Sequence, residues 1–225
     1  MKAIGKIFHT LLRILRNLLI FLVLMVVLAF LAAFFMVYRG ERNYPVHYGD
    51  AITAVAEEAG LSPHLILGVV KSESNFDADV VASDGGEGLM QLMPDAVDFM
   101  ADRLDEDAST WDLKDPETNL RVGSLYLSYL VSRYQSEDLA IVAYNAGMSN
   151  VDEWLKDGII DWDYRSMQNI PYAVPRKYVK RVNEAQEVYE TFYPDEIPDD
   201  SSEYDRLNLA FHHLLNAVNR YLPVF

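Results

Sequence analysis

Glu73 ends an apolar helical run and is followed by Ser74-Asn75-Phe76. Close behind come Gly85-Gly86-Glu87-Gly88 and Leu89-Met90-Gln91-Leu92-Met93-Pro94. Ser62-Pro63 reads as the helix start, a capping hydroxyl with proline at the first helical position. Leu65, Ile66, Val69 and Val70 give that helix a buried face. Glu73 lies three and four residues beyond Val70 and Val69, so it shares the apolar side. It also falls near the helix C-terminus, where the dipole disfavours a further negative charge. Burial and dipole both raise the pKa, giving a carboxyl that keeps its proton. A general acid for a glycosidic oxygen needs that property. A solvated glutamate at a helix end has the same spacing, so spacing alone leaves both readings open. The glycines allow positive φ and close backbone approach to a ligand, and an ordinary tight turn has the same composition. Tyr144-Asn145, just before Gly147, can aim a phenol and an amide out of a helix end, or simply pack and cap.

The elements that must hold these groups are helical. Ile52, Val55, Ala56 and Ala59 repeat at helical spacing, with Gly60 as the stop. Pro94-Asp95-Ala96 opens a helix with Val97 and Met100 inward. Asp115-Pro116 starts the longest domain pattern, with Leu120, Gly123, Ser124, Leu127, Leu130, Val131 and Tyr134 on one face. Glu137 to Asn145 forms another helix. Ser149 is expected to cap the next, with Asp152 at capping-box spacing and Trp154 inward. Residues 157–168 read as an irregular loop. Pro175 is expected to start a helix carrying Val179, Val182, Ala185, Gln186 and Tyr189, with Pro194 ending it. Arg206 to Leu222 places Leu207, Phe211, Leu214, Leu215, Val218 and Leu222 on one face of an amphipathic helix. That helix can dock on the domain or pair with a partner; its few cations make a membrane surface the weakest option. The acidic stretch 102–107 is not a calcium loop, because Thr110 and Pro116 hold the positions that want Gly and Glu.

Composition narrows the function. The chain has 225 residues and no cysteine, so a disulfide framework, a thiol nucleophile, a cysteine-ligated metal and a lipidated cysteine are excluded. Residues 1–38 contain no acid, and Lys2, Lys6, Arg13 and Arg16 precede an uncharged run from Leu18 to Tyr38. Such a run spans about 30 Å as a helix, the thickness of a bilayer core. The preceding cations favour a cytoplasmic N-terminus with the rest outside. A cleaved signal peptide is the rival, but the run is longer than its apolar region and no convincing small-x-small site follows. All 34 acidic residues and 15 of the 19 basic ones lie beyond residue 38, a formal charge of −19. That argues against nucleic acid and against docking on anionic lipid.

Glu73-Ser74-Asn75-Phe76 and Gly85-Gly86-Glu87-Gly88-Leu89-Met90-Gln91-Leu92-Met93-Pro94 resemble the signature of the lytic transglycosylases with the soluble-lytic-transglycosylase (SLT) catalytic domain, in the lysozyme-like superfamily. Ala143-Tyr144-Asn145-Ala146-Gly147 resembles the family's second motif; Ile170-Pro171-Tyr172 and Tyr178-Val179 resemble its third. The resemblance covers roughly residues 44 to 193. It implies a mainly α, lysozyme-like domain behind a transmembrane helix. The organisation it suggests is a cytoplasmic 1–17, an anchor 18–38, a connector 39–47 and a catalytic domain 48–193. Residues 194–225 would then be an acidic linker and the amphipathic helix.

By the resemblance, Glu73 serves as both acid and base in cleaving peptidoglycan between N-acetylmuramic acid and N-acetylglucosamine, leaving 1,6-anhydro ends. Ser74, Met90 and Gln91 line the sugar cleft, Tyr144 and Asn145 flank the reacting centre, and Tyr178 joins the cleft wall. Asn119 matches a motif position with a structural role. No metal or cofactor is implied. The partners expected are glycan strands, the cytoplasmic membrane through 18–38 and an envelope protein through 203–222, with the catalytic domain on the outer side. Two positions depart from the family pattern: Ala82 stands where a serine is usual, and Val174-Pro175 replace Glu-Thr before Arg176. Two alternatives stay open. One is a muramidase that uses water and needs a second carboxylate about 5–10 Å from Glu73; the other is a wall-binding scaffold.

Overall fold

The computed structural model describes residues 2–162, 169–200 and, near the C-terminus, 207, 208, 210, 211 and 213–215. The chain divides into two compact units, Met1–Asn43 with Ser202–Phe225, and Tyr44–Ser201.

The first unit is built on α1 (Lys2–Asn43), a single 42-residue helix. Its stretch Leu11–Gly40 is long and apolar enough to cross a membrane, and its 18-residue apolar window has mean hydropathy 3.2 and no residue buried by protein. At 1.5 Å per residue the helix outruns a bilayer core. The expected span 18–38 lies inside it, and Arg13 and Arg16 precede that span within the same helix. The described residues between 207 and 215 are helical, as expected. Their buried line is Ala210 and Leu214, while Leu207, Phe211 and Leu215 are exposed. This inner face therefore differs from the one expected. Val218 and Leu222 lie outside the described residues.

The second unit contains seven α-helices and a 3-10 turn at Ala108–Thr110 among the described residues. In order the helices are α2 (Gly49–Ala59), α3 (Pro63–Glu73), α4 (Pro94–Leu104), α5 (Pro116–Tyr134), α6 (Glu137–Ala146), α7 (Met148–Lys156) and α8 (Ala173–Phe192). Proline at the first turn opens α3, α4 and α5. Asp115 caps α5 by accepting from the Thr118 N–H, and Ser136 caps α6 by accepting from Leu139. Gly60 stops α2 in the left-handed conformation, as its position predicts.

α3 and α8 pack against each other most extensively. Gly68 makes this possible, since a Cβ there would sit 2.9 Å from the Val182 carbonyl. The pairing brings the end of α3, with Glu73, against the middle of α8, with Tyr178. α6 packs on both α5 and α8, and Asn183 on α8 donates to Asp138 on α6. Leu65, Ile66, Leu67, Val69, Val70, Leu120, Leu127, Leu130, Val142, Val179 and Val182 fill the core between them.

Three local expectations change. Ser149 does not cap α7; the helix starts at Met148, and Asp152 instead pairs with Arg133 at 2.6 Å and accepts from the Tyr134 hydroxyl. α8 starts two residues before Pro175, which its third helical position tolerates because early N–H groups have no helical acceptor. Residues 194–200 are not a free linker. The Asp199 carbonyl accepts from Gly49 N–H at 2.9 Å and its carboxylate from Asp50 N–H at 3.3 Å, so this tail caps the start of α2. The loop expected over 157–168 is irregular through 162, and the remainder lies outside the described residues.

Candidate active site

Glu73 is the last residue of α3. Burial drives its carboxyl up to about 7, against the opposing pulls of the Tyr178 hydroxyl and the Arg181 charge, with a small upward push from Asp84. The expected direction and its first cause are thus both present. Past Glu73 the chain turns through two left-handed residues, Asn75 at φ 53° and Phe76 at φ 66°. Neither is glycine, and a left-handed phenylalanine is unusual. Phe76 is held there by burial and by edge-on contacts with Tyr189 and His47. Asn75 is held by Lys71, whose ammonium donates to its side chain.

The loop from Val80 to Leu92 is folded on itself by isolated antiparallel bridges, Val81 with Glu87 and Glu87 with Leu92. Asn119, fully buried on α5, holds it. Its Oδ1 accepts from Met90 N–H at 2.8 Å, and its Nδ2 donates to the carbonyls of Glu87 and Leu113 at 2.9 and 2.8 Å. Gly88, at φ 76°, is where this amide fits: a Cβ would lie 2.2 Å from both Asn119 Nδ2 and the Leu113 carbonyl. The glycine thus makes room for a structural amide in the protein itself.

Two expected cleft residues serve the scaffold instead. Met90 is fully buried, its sulfur accepting from Ser124 at 3.8 Å and its side chain filling the space that Gly123 leaves open. Its carbonyl accepts the Tyr144 hydroxyl at 2.8 Å, so it positions Tyr144 rather than lining a cleft. Ser74 is also buried, and its hydroxyl donates to the Leu89 carbonyl at 2.8 Å, clamping the loop to the end of α3.

Tyr178 and Tyr144 both stand close enough to Glu73 for its charge to raise their pKa, after the larger effect of burial. The Tyr178 hydroxyl is buried and makes no well-formed hydrogen bond among the described residues, yet it lies near enough to Glu73 to favour the carboxylate. Gln91, at φ 49°, donates through Nε2 to Gly88 and Val80 carbonyls at 2.8 and 3.1 Å. Gln91, Tyr144 and Asn145 line a common cavity of about 260 Å³, with Tyr126 and the start of α4. Asn145 is exposed there. Glu73 is not among the lining residues; Tyr144 is the side chain shared between that cavity and the carboxyl's surroundings.

The sequence reading missed Arg181. It lies one helical turn after Tyr178, its guanidinium 5.4 Å over that ring, and its charge reaches Glu73. The i,i+3 spacing was the available signal. Ala82 contributes only backbone, its N–H donating to the Gly86 carbonyl at 2.8 Å and its carbonyl accepting from Gly85 at 3.0 Å. Ser83 beside it is exposed, and so is Val174. Among the described residues no group of three or more His, Asp or Glu is placed to hold a metal ion.

Comparison with known proteins agrees with this architecture. The family model "Transglycosylase SLT domain" matches residues 50–158. The soluble lytic murein transglycosylase of Salmonella typhimurium is 30% identical over 147 residues, 63% of this chain and 23% of that protein. The membrane-bound lytic murein transglycosylase C of Edwardsiella ictaluri is 29% identical over 165 residues, 63% of this chain and 46% of that protein. The crystal structure of an inactive glutamate-to-glutamine mutant of the lytic transglycosylase Slt from Pseudomonas aeruginosa superposes with a TM-score of 0.61. That match has 30% identity and covers 72% of this chain and 27% of the other. The chain therefore spans about a quarter of its soluble relatives and under half of the membrane-bound one. By this match over residues 50–158, and by the fold it shares with lytic transglycosylases of known structure, the chain carries a transglycosylase SLT domain.

Proposed function

We propose that this chain is a membrane-anchored lytic transglycosylase that cleaves the N-acetylmuramic acid–N-acetylglucosamine bond of peptidoglycan. The observation that carries the reading is a single buried carboxyl, Glu73, raised to about 7 and flanked by two tyrosines. In its protonated form Glu73 donates to the glycosidic oxygen, and the C1–O bond breaks as the positive charge develops at the anomeric carbon. As carboxylate it then takes the proton of the muramoyl C6 hydroxyl. The C6 oxygen bonds to C1, giving a 1,6-anhydro ring and returning the proton to Glu73. An internal hydroxyl outcompetes water because it is already in place. A pKa near 7 suits both halves of this cycle, since one group must give and then take a proton at the same pH. The Tyr178 hydroxyl, which favours the Glu73 carboxylate, would steady that charged form between the two proton transfers.

Asp84 supports a second reading. It is a loop carboxylate whose charge reaches Glu73, and a water-activating partner across the cleft would make the reaction hydrolytic. The anchor part of the proposal rests on α1 and on the similarity to a membrane-bound relative. The cations of Lys2, Lys6, Arg13 and Arg16 orient it with the enzyme outside. Mass spectrometry of muropeptides released from purified peptidoglycan tests the chemistry. Products one water lighter than the hydrated ones, absent with Glu73→Gln, are expected. Hydrated reducing ends that disappear with Asp84→Asn would turn the conclusion to the hydrolase.

A further inference from the structure

Away from Glu73 the surface of α4 and α5 carries a line of aromatic contacts that leads to a cationic groove. Tyr144, in the site cavity, packs on Tyr126 at 5.5 Å, Tyr126 on Phe99 at 6.2 Å, and Phe99 on Tyr129 at 4.9 Å. The Arg103 guanidinium caps this line, 4.5 Å over the Tyr129 ring. A groove of about 540 Å³ opens there, lined by Arg103, Tyr129, Ser132 and Arg133 among others, with no acidic residue in its wall. Arg133 is already paired with Asp152 at 2.6 Å. Arg103 forms no ion pair among the described residues. A groove lined by two arginines and no acid stands out on a chain whose net charge is −15.

We propose that this groove binds the carboxylate of a peptide stem carried by the glycan, while the glycan itself lies at the Glu73 cleft. The inference rests on the function proposed above. A guanidinium fixed flat on a ring keeps its outer N–H edge free for a carboxylate, and little side-chain entropy is lost on binding because it is already ordered. The half-exposed Tyr129 ring and the Leu125 side chain give the aliphatic part of a stem an apolar floor, and the Ser132 hydroxyl adds a neutral polar contact. Peptide stems hang from the muramic acid residues at regular intervals, so a groove one element away from the cleft meets a stem while the cleft holds the strand.

The test is titration of the full chain in detergent with the soluble tetrapeptide L-alanyl-γ-D-glutamyl-meso-diaminopimelyl-D-alanine, followed by calorimetry. Saturable binding is expected, weakened about tenfold or more by Arg103→Gln and by amidation of the peptide's carboxylates. Arg103→Lys is expected to fall between the two, since it keeps the charge and loses the planar fork. Thermal melting identifies a variant that has merely unfolded, and Arg103 is on the surface of α4, so melting should be unchanged. Absence of binding overturns the proposal. So does inorganic phosphate displacing the peptide at equal concentration, which would mark an unselective anion site. A second arm compares peptide-bearing peptidoglycan with glycan stripped of its stems. KM should rise for the former alone in Arg103→Gln. Failure of both substrates to react would count against the transglycosylase reading, while the peptide titration would still decide the groove.

Discussion

At the scale of single residues, the raised pKa of Glu73 is also a statement about stability. The folded protein holds this proton to about pH 7, whereas an unfolded chain releases it near 4.5. A group raised on folding contributes fully below its unfolded pKa, and that contribution is lost as the pH climbs through the folded value. Between 4.5 and 7 the loss amounts to about 3 kcal/mol. Glu73→Gln removes the titration and keeps the shape. Urea unfolding of parent and variant should therefore differ least near pH 4.5, and the variant should gain steadily up to pH 8. A gap that does not change with pH would place Glu73 in water. Arg181 gives a second prediction. Its charge holds the Glu73 pKa down, so Arg181→Gln should shift the alkaline limb of kcat/KM to higher pH, and Arg181→Lys should restore it. Tyr178→Phe should leave stability within about 1 kcal/mol, because the buried hydroxyl it removes makes no well-formed hydrogen bond among the described residues. Turnover should nevertheless fall about tenfold or more if that hydroxyl meets charge in the transition state. Glu73 was legible in the sequence because an apolar i−4, i−3 pair and a helix end are local patterns. Tyr178 was reached only through a motif, and Arg181 not at all, because the α3–α8 packing that brings them to Glu73 joins residues more than a hundred positions apart.

At the scale of elements, the motif loop depends on one amide. Asn119 satisfies the buried Met90 N–H and the part-buried carbonyls of Glu87 and Leu113. Asn119→Leu keeps the volume and abandons all three, at a cost of about 3 kcal/mol or more. Gly88→Ala attacks the same junction from the other side, with a Cβ that collides with that amide and a φ of 76° that disfavours any side chain. Each should lower the urea midpoint strongly. The double variant should cost clearly less than the sum, because both break one junction. Gly85→Ala is the control: φ is 100°, but the nearest atom to a new Cβ is Pro94 Cδ at 3.6 Å, so only about 1 kcal/mol of backbone strain is expected. The helices themselves were readable, since Pro63 and Asp115-Pro116 act within one turn of where they stand, although the Ser62 hydroxyl does not make the cap expected of it. What could not be read was direction. Met90 and Ser74 stand in the right stretch of sequence, yet their side chains turn into the core. In a loop whose bridges and left-handed residues break any period, spacing no longer says which way a side chain points.

At the scale of the molecule, composition separates an apolar, cation-flanked N-terminal helix from an acidic domain, and the division at residue 43 follows it. The far boundary follows different physics. Composition alone ends the domain near Pro194, where the chain turns polar and acidic. Residues 194–200 nevertheless belong with the second unit, because α2 begins without a side-chain cap of its own. Tyr48, its N-cap, is left-handed at φ 60° and offers no side-chain acceptor. The Asp199 carbonyl and carboxylate supply the missing acceptors, and Asp200 lies 2.6 Å from His47. The Pro198 backbone comes so near that a Cβ on Gly49 would lie 2.0 Å from its carbonyl oxygen. Gly49 is therefore the residue that admits the tail. A chain of residues 44–201 should be more stable than one of residues 44–193 by about 1–2 kcal/mol, the worth of a helix cap. Gly49→Ala should remove most of that difference in the longer chain. In the shorter chain, where no tail remains to be displaced, the same substitution should cost nothing, since alanine is the better helix former. Equal losses from Gly49→Ala in both chains would mean that the glycine answers to something other than the tail, and the domain would then end where its composition changes.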